Sequence, residues 1–369
     1  MKFKTILKHF LIWQTLIIVI VTISVGTLPI RLSDSYLGGG ITKFLKNPIL
    51  NFRSNFDGVH YVLIATHGYN YGQQAFFPFY SSLIKSLNKH LKAPILAGTL
   101  ISSVAFVLAL YFLTKLVKLD YPVHVSFWLV LILMYSPVGF FFTSVYTESI
   151  FLLLAILSFY CARKGHWLLA GIFGFFASYT RFIGIFLFPA LAIELWEQKK
   201  PIAKAWPLLL IPLGLLTYML YLNQTTGDPF AFYHLQKIFN QSRDTQITMP
   251  YQVIWRYIRM VATVNRADPL YITIWLEFIT GLGFLVLSVV SLFKQRLSYA
   301  FFNFAAYLIP TLTGNFVSLP RYVLICFPVY IILAQYISDH PRFRKVYLAA
   351  NFIFMTVYLS MFARGYWVA

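Results

Sequence analysis

Residues Phe10–Ile30 read F-L-I-W-Q-T-L-I-I-V-I-V-T-I-S-V-G-T-L-P-I, without one Asp, Glu, Lys or Arg. A helix needs about 20 residues of this kind to cross the hydrocarbon core of a bilayer. The run is too long for the apolar core of a cleaved leader, and no Ala-x-Ala site follows it. With Lys2, Lys4 and Lys8 ahead of it, it reads as a retained first span whose N-terminus is cytoplasmic. Comparable runs recur at about 94–114, 122–140, 145–161, 166–180, 182–195, 205–222, 270–293, 299–316, 320–337 and 345–364. The expectation is therefore an all-α polytopic membrane protein of about 11 transmembrane helices, two of them short, forming a single domain over 1–369.

Composition agrees. Of 369 residues, 59% are apolar and 11% charged, against about 25% charged in soluble domains. That excludes soluble, disordered and fibrous chains. The 37 Phe and 25 Tyr suit membrane interfaces. The net charge of +19 is scattered over short loops, which points to anionic lipid and not to nucleic acid. Cys161 and Cys326 sit inside apolar runs and read as small buried side chains.

Charge bias orders the loops. With the N-terminus inside, the inner loops hold Lys115 and Lys118, Arg163 and Lys164, Lys199, Lys200 and Lys204, Lys294 and Arg296, and Arg342, Arg344 and Lys345. Two long outer segments, about 31–93 and 223–269, carry both signs. This ordering requires 166–180 and 182–195 to form a hairpin turning near Arg181. A single tilted helix would put the two basic clusters on opposite sides.

Charged residues at membrane edges are costly and commonly face a cavity. Asp57, Glu148, Arg181, Asp228 and Arg321 all fall on the outer side. In S-N-F-D-G-V-H-Y-V-L-I-A-T-H-G-Y, residues 54–69, Ser54 or Asn55 can cap a short helix. Asp57, His60, Tyr61 and Ile64 then share a face. Asp57 can support the helix start, or serve as a base or hydroxyl-binding carboxylate. His60 and Tyr61 are candidates for substrate contact, whereas His60 and His67 also read as interfacial packing residues. The run 79–91 sets Leu83, Ile84 and Leu87 against Lys85 and Lys89, so it reads as an interface helix whose lysines meet lipid headgroups or a donor phosphate.

Glu148, in F-F-F-T-S-V-Y-T-E-S-I-F (140–151), needs a partner if buried. Arg181 or Arg321 can supply it, or both arginines can hold a phosphate with their planar guanidiniums. Arg321 follows Pro320 at a helix start, where free N–H groups also suit an anion. In the second outer loop, Val253, Ile254, Tyr257, Ile258 and Val261 oppose Arg256 and Arg259, a second interface helix. Asn223-Gln224-Thr225 and Asn240-Gln241-Ser242 match the short glycosylation acceptor pattern. There is no P-loop, no Gly-x-Gly-x-x-Gly, no HExxH and no DxD.

The frame N-F-D-G-V-H-Y-V-L-I-A-T-H-G-Y followed by A-F-F-P-F-Y (75–80) resembles the first outer loop of the PIG-V-like mannosyltransferases. That family, named for the second mannosyltransferase of glycosylphosphatidylinositol-anchor synthesis, belongs to the GT-C membrane glycosyltransferases. The resemblance continues in order through S-V-Y-T-E-S-I-F, S-Y-T-R-F-I-G, G-D-P-F-A-F-Y-H-L-Q and L-P-R-Y-V-L-I-C-F-P. It departs at Phe56, where the family commonly has Trp before the Asp, and at Ser81, which stands where a Pro often follows the F-F-P-x-Y run.

The resemblance implies a GT-C-like bundle and inverting transfer of a hexose, usually mannose, from a polyprenyl-phosphate-linked donor on the extracytoplasmic or lumenal face. It implies Asp57 as base, with Glu148, Arg181 and Arg321 in the same cavity. Lys85 or Lys89 can assist at the donor phosphate, and Asp228 with His60 and Tyr61 can touch substrate. The acceptor would be a lipid, glycan or protein. A divalent cation (Mg or Mn) can assist, although no dedicated metal-ligand set is visible. Two other readings stand beside it. A flippase or transporter of lipid-linked sugars would show related halves and midplane charges. A non-catalytic scaffold subunit would leave Asp57 dispensable.

Overall fold

The computed structural model describes residues 1–31, 36–235 and 248–368. Among them the chain is helical and has no β-strand. In order the helices are α1 (Phe3–Thr27), α2 (Ile41–Lys46), α3 (Pro48–Asn51), α4 (Asp57–His67), α5 (Pro78–Leu91), α6 (Pro94–Val117), α7 (Val123–Met134), α8 (Glu148–Arg163) and α9 (Trp167–Thr180). There follow α10 (Leu187–Glu197), α11 (Leu210–Thr226), α12 (Ala231–His234), α13 (Pro250–Thr263), α14 (Leu270–Lys294), α15 (Leu297–Thr311), α16 (Leu319–Tyr322), α17 (Phe327–Asp339) and α18 (Pro341–Ala363).

Each of the eleven apolar runs read from the sequence is helical over most of its length. Five stretches are long and apolar enough to cross a bilayer alone: Phe3–Thr27, Pro94–Val117, Ile202–Thr226, Leu270–Lys294 and Pro341–Ala363. A sixth arises if Leu319–Ile325 and Phe327–Asp339, bent by 84°, count as one. Helices such as α7 and α9 are apolar but shorter. The chain is a multi-pass integral membrane protein.

Two compact units divide the fold. The first comprises Met1–Tyr69, Pro78–Ile156 and Leu333–Val368. Here aromatic rings fill the space between helices: Trp13 of α1 meets Phe106 of α6 at 5.7 Å, and Phe106 stacks on Phe142 at 4.2 Å. The hydroxyls of Ser24 and Ser360 join α1 to α18 at 2.7 Å, a polar tie of the kind that links helices in lipid.

The second unit comprises Asn70–Phe77 and Leu157–Ile332. Small residues let α9 approach its neighbours closely. A Cβ on Gly171 would collide with the Pro207 carbonyl, and one on Gly214 with the Phe175 carbonyl. The expected hairpin is present. Gln198 Nε2 donates to the Ala162 carbonyl (3.1 Å), and Arg163 pairs with Glu194 (3.2 Å). The end of α10 therefore returns to the start of α9, and the chain reverses at Arg181, which is extended (φ −152°, ψ 144°).

Some local expectations are revised. Neither Ser54 nor Asn55 caps α4; Phe56 holds the cap position. Asn55 is committed elsewhere, its Oδ1 accepting from Gly38 N–H (2.9 Å) and its Nδ2 donating to the Phe362 carbonyl (2.9 Å). The buried edge of α13 is Val253 and Tyr257, whereas Ile258 is exposed beside Tyr251 and Trp255. That outer face suits an interface helix. Asn223 and Thr225 occupy the last turn of α11, and Asn240-Gln241-Ser242 lies outside the described residues.

Candidate active site

In the first unit the candidate residues follow the junction before α4. Phe56 has φ 55° and ψ −119°, a conformation favourable to glycine and costly, by about 1–3 kcal/mol, for a bulky residue. Rings hold it there: Tyr36 at 6.2 Å, Phe362 at 5.7 Å and Trp367 at 5.2 Å. The next residue, Asp57, opens α4 in its first turn. There the helix dipole favours a carboxylate by roughly 0.3–1 kcal/mol.

The segment before Asp57 is tied to the segment before Glu148. Val145 N–H donates to the Arg53 carbonyl (2.7 Å), and the Tyr146 hydroxyl donates to the Asn55 carbonyl (2.7 Å). Arg53, which in the sequence looks like an ordinary loop cation, is buried. Its guanidinium donates to the Thr143 carbonyl (3.0 Å), the Thr143 hydroxyl (2.8 Å) and Gln14 Oε1 (3.0 Å). Burial pushes its pKa down to about 10. These bonds link the two segments to each other, and Arg53 links them to α1.

Glu148 begins α8 and is 2% exposed. Tyr61 and Ile64 turn inward from α4, as the shared-face reading requires, while Asp57 and His60 are half-buried. Burial lowers the His60 pKa, and the neighbouring Asp57 charge opposes that shift. Tyr61 meets Tyr80 of α5 edge-on at 5.3 Å. Burial pushes the Tyr80 hydroxyl upward; its bond to Ser102 (2.7 Å) works against this, while Tyr61 and Glu148 add to it. Lys85 and Lys89 lie on the exposed side of α5.

In the second unit Arg181 and Arg321 come together. The guanidinium carbons stand 5.3 Å and 5.2 Å from the centroid of the same ring, Tyr322. Cation–π attraction operates at this range. Arg321 is buried, and Arg181 is half-buried. Tyr322 escapes a sequence reading because nothing local marks a tyrosine beside one arginine as the partner of another. Asp228 is different in kind. It is half-buried, accepts from Phe230 N–H (2.9 Å), and pairs with His234 Nδ1 (2.7 Å). That pairing with His234 holds its pKa below the usual carboxylate range. Among the described residues no three His, Cys, Asp or Glu side chains converge as metal ligands.

A buried ion cluster is equally hidden in the sequence. Glu194, fully buried, pairs with Arg163 (3.2 Å) and Arg296 (3.0 Å) and accepts from the Ser298 hydroxyl (2.6 Å) and Gln198 (2.8 Å). In the sequence Arg163 and Arg296 register only as loop charges.

The family profile described as Mannosyltransferase (PIG-V) matches residues 5–194. Among solved structures, ArnT from Cupriavidus metallidurans bound to undecaprenyl phosphate aligns with a TM-score of 0.55 at 12% identity. The apo state of the same protein aligns with a TM-score of 0.51 at 12% identity. In each case the match covers 92% of this chain and 62% of the ArnT chain, so this chain spans under two thirds of that protein's length. No curated protein sequence matches. The structural likeness supports the GT-C-like helical fold, the family match covers just over half of the sequence, and the chain belongs to the Mannosyltransferase (PIG-V) family of glycosyltransferases.

Proposed function

We propose that the protein transfers a hexose, mannose by its family, from a polyprenyl-phosphate-linked donor to a lipid, glycan or protein acceptor. The transfer is inverting and occurs on the extracytoplasmic face. The observation that carries this reading is the pair of guanidiniums on Tyr322. Planar, permanently charged donors suit a phosphate better than any other group in the chain. The likeness to ArnT bound to undecaprenyl phosphate lends further support to a polyprenyl-phosphate donor.

A sugar linked to phosphate already carries a good leaving group. Transfer then needs an acceptor oxygen relieved of its proton and a stabilised departing phosphate. Asp57 is the base, taking the acceptor proton as the new glycosidic bond forms. Arg181 and Arg321 stabilise the phosphate as the bond from the anomeric carbon to its oxygen breaks. Glu148 shapes the site beside Tyr61 and Tyr80, and is the alternative base. His60 and Asp228 contact substrate, and Lys85 and Lys89 attract the donor headgroup.

Arg181→Lys and Arg321→Lys keep charge but lose the planar fork. Each weakens binding of undecaprenyl phosphate to the purified protein by about tenfold, the worth of one charge-assisted hydrogen bond. Titration of the reconstituted protein measures this. Wild-type affinity in both variants would reduce these arginines to structural roles and remove the phosphate site.

A further inference from the structure

The loop that leads into Arg321 is gripped by a carboxylate placed inside an apolar helix. Glu277 lies within α14 and is 3% exposed. Its Oε1 accepts from Ser318 N–H (3.2 Å), and its Oε2 accepts from the Tyr257 hydroxyl (2.6 Å). The same hydroxyl accepts from Phe316 N–H (3.2 Å). Two residues earlier, the Gly314 carbonyl accepts from Arg256 (2.6 Å). Alternate residues of this loop are thus held by α13 and α14. Packing reinforces the grip: Tyr257 lies 4.9 Å from the Phe316 ring, which covers Gly281 so closely that a Cβ there would meet it at 2.6 Å.

Ser318 is the residue that transmits this hold. It has a left-handed backbone, φ 64°, an unfavourable choice for a non-glycine residue. Its N–H is fixed by Glu277, and its carbonyl accepts from both Arg321 N–H (3.1 Å) and Tyr322 N–H (3.0 Å). Those two residues supply one guanidinium and the shared ring. A buried carboxylate spent on a loop amide, at the cost of desolvation, makes sense where the loop's aim matters.

We propose that Glu277 and Tyr257 are positioning residues for Arg321. They fix Ser318, set the first turn of α16, and tie the aim of the donor-binding arginine to the amphipathic helix α13. This rests on the reading of Arg321 as a donor phosphate ligand.

The test uses the full chain in lipid nanodiscs, with undecaprenyl phosphate as probe and thermal unfolding followed in parallel. Tyr257→Phe keeps the ring but loses the hydroxyl. Glu277→Gln keeps the shape but leaves one oxygen for two donors. Each should weaken binding about tenfold while the unfolding midpoint stays near that of wild type. In an Arg321→Ala background neither should weaken it further, because their effect passes through Arg321. Wild-type affinity in both variants, or a full additional loss in the Arg321→Ala background, would overturn the proposal. If Glu277→Gln fails to insert, Tyr257→Phe and its double variant decide alone. A wild-type protein that does not bind undecaprenyl phosphate would instead overturn the donor reading, and the positioning role with it.

Discussion

Asp57→Asn depresses turnover per folded molecule by about 10²–10⁴-fold, the usual contribution of a general base, while the protein still folds, inserts and binds donor lipid. Asparagine keeps the size and most of the hydrogen bonding but cannot take the acceptor proton. The placement of Asp57 suits a base. It opens α4, is half-buried beside His60, and follows a strained Phe56 caged by aromatic rings. Strain held at such a point fixes where the carboxylate sits. Glu148→Gln is the companion variant, since Glu148 heads α8 on the loop bonded to the Asp57 segment. Turnover and binding are measured on the same preparation, which separates chemistry from assembly. An active Asp57→Asn with a dead Glu148→Gln would exchange the two roles. A melting-temperature loss with normal turnover would make Asp57 a helix-start residue only.

Glu194→Ala should cost about 3–5 kcal/mol of stability, the range for breaking a buried ion pair by removing one partner. Glu194 is fully buried, whereas Arg163 and Arg296 are 11% and 26% exposed. Removing the carboxylate takes one acidic partner from Arg163 and one from Arg296, which keeps Glu197 at 3.5 Å, and takes one acceptor each from the Ser298 hydroxyl and Gln198. Glu194→Gln keeps those neutral contacts and should lose less. Unfolding in detergent, compared across the three proteins, reads this directly. A loss within about 1 kcal/mol, typical of exposed pairs, would show that the cluster does not hold α8, α10 and α15 together.

Much of the helical layout is legible because apolar runs near bilayer length leave few alternatives. The hairpin at Arg181 is legible from charge alone, since Arg163-Lys164 and Lys199-Lys200 have to share an end. Hydropathy also conceals things. Glu277 sits in a run apolar enough to absorb one carboxylate without interrupting the pattern, so an intramembrane acid of the kind that marks function does not stand out. Arg163 and Arg296 account for the charge bias so well that nothing in the pattern asks for a partner such as Glu194. The cap of α4 departs from expectation because Asn55 serves two distant backbone groups instead of its own helix. The exposure of Ile258 depends on the tertiary placement of α13, which a helical wheel does not contain. The shared ring of Tyr322 is likewise a product of packing between segments far apart in the chain.

The most direct measurement is transfer itself. Purified protein in proteoliposomes is given polyprenyl-phosphate-mannose labelled in the sugar, together with candidate lipid, glycan and protein acceptors. If the chain is a polyprenyl-phosphate-dependent mannosyltransferase, label moves to an acceptor with inverted anomeric configuration, one polyprenyl phosphate is released per sugar transferred, and both fall together in Asp57→Asn. Label that stays on the donor lipid with every acceptor, or that only crosses the bilayer still attached to it, would contradict the account.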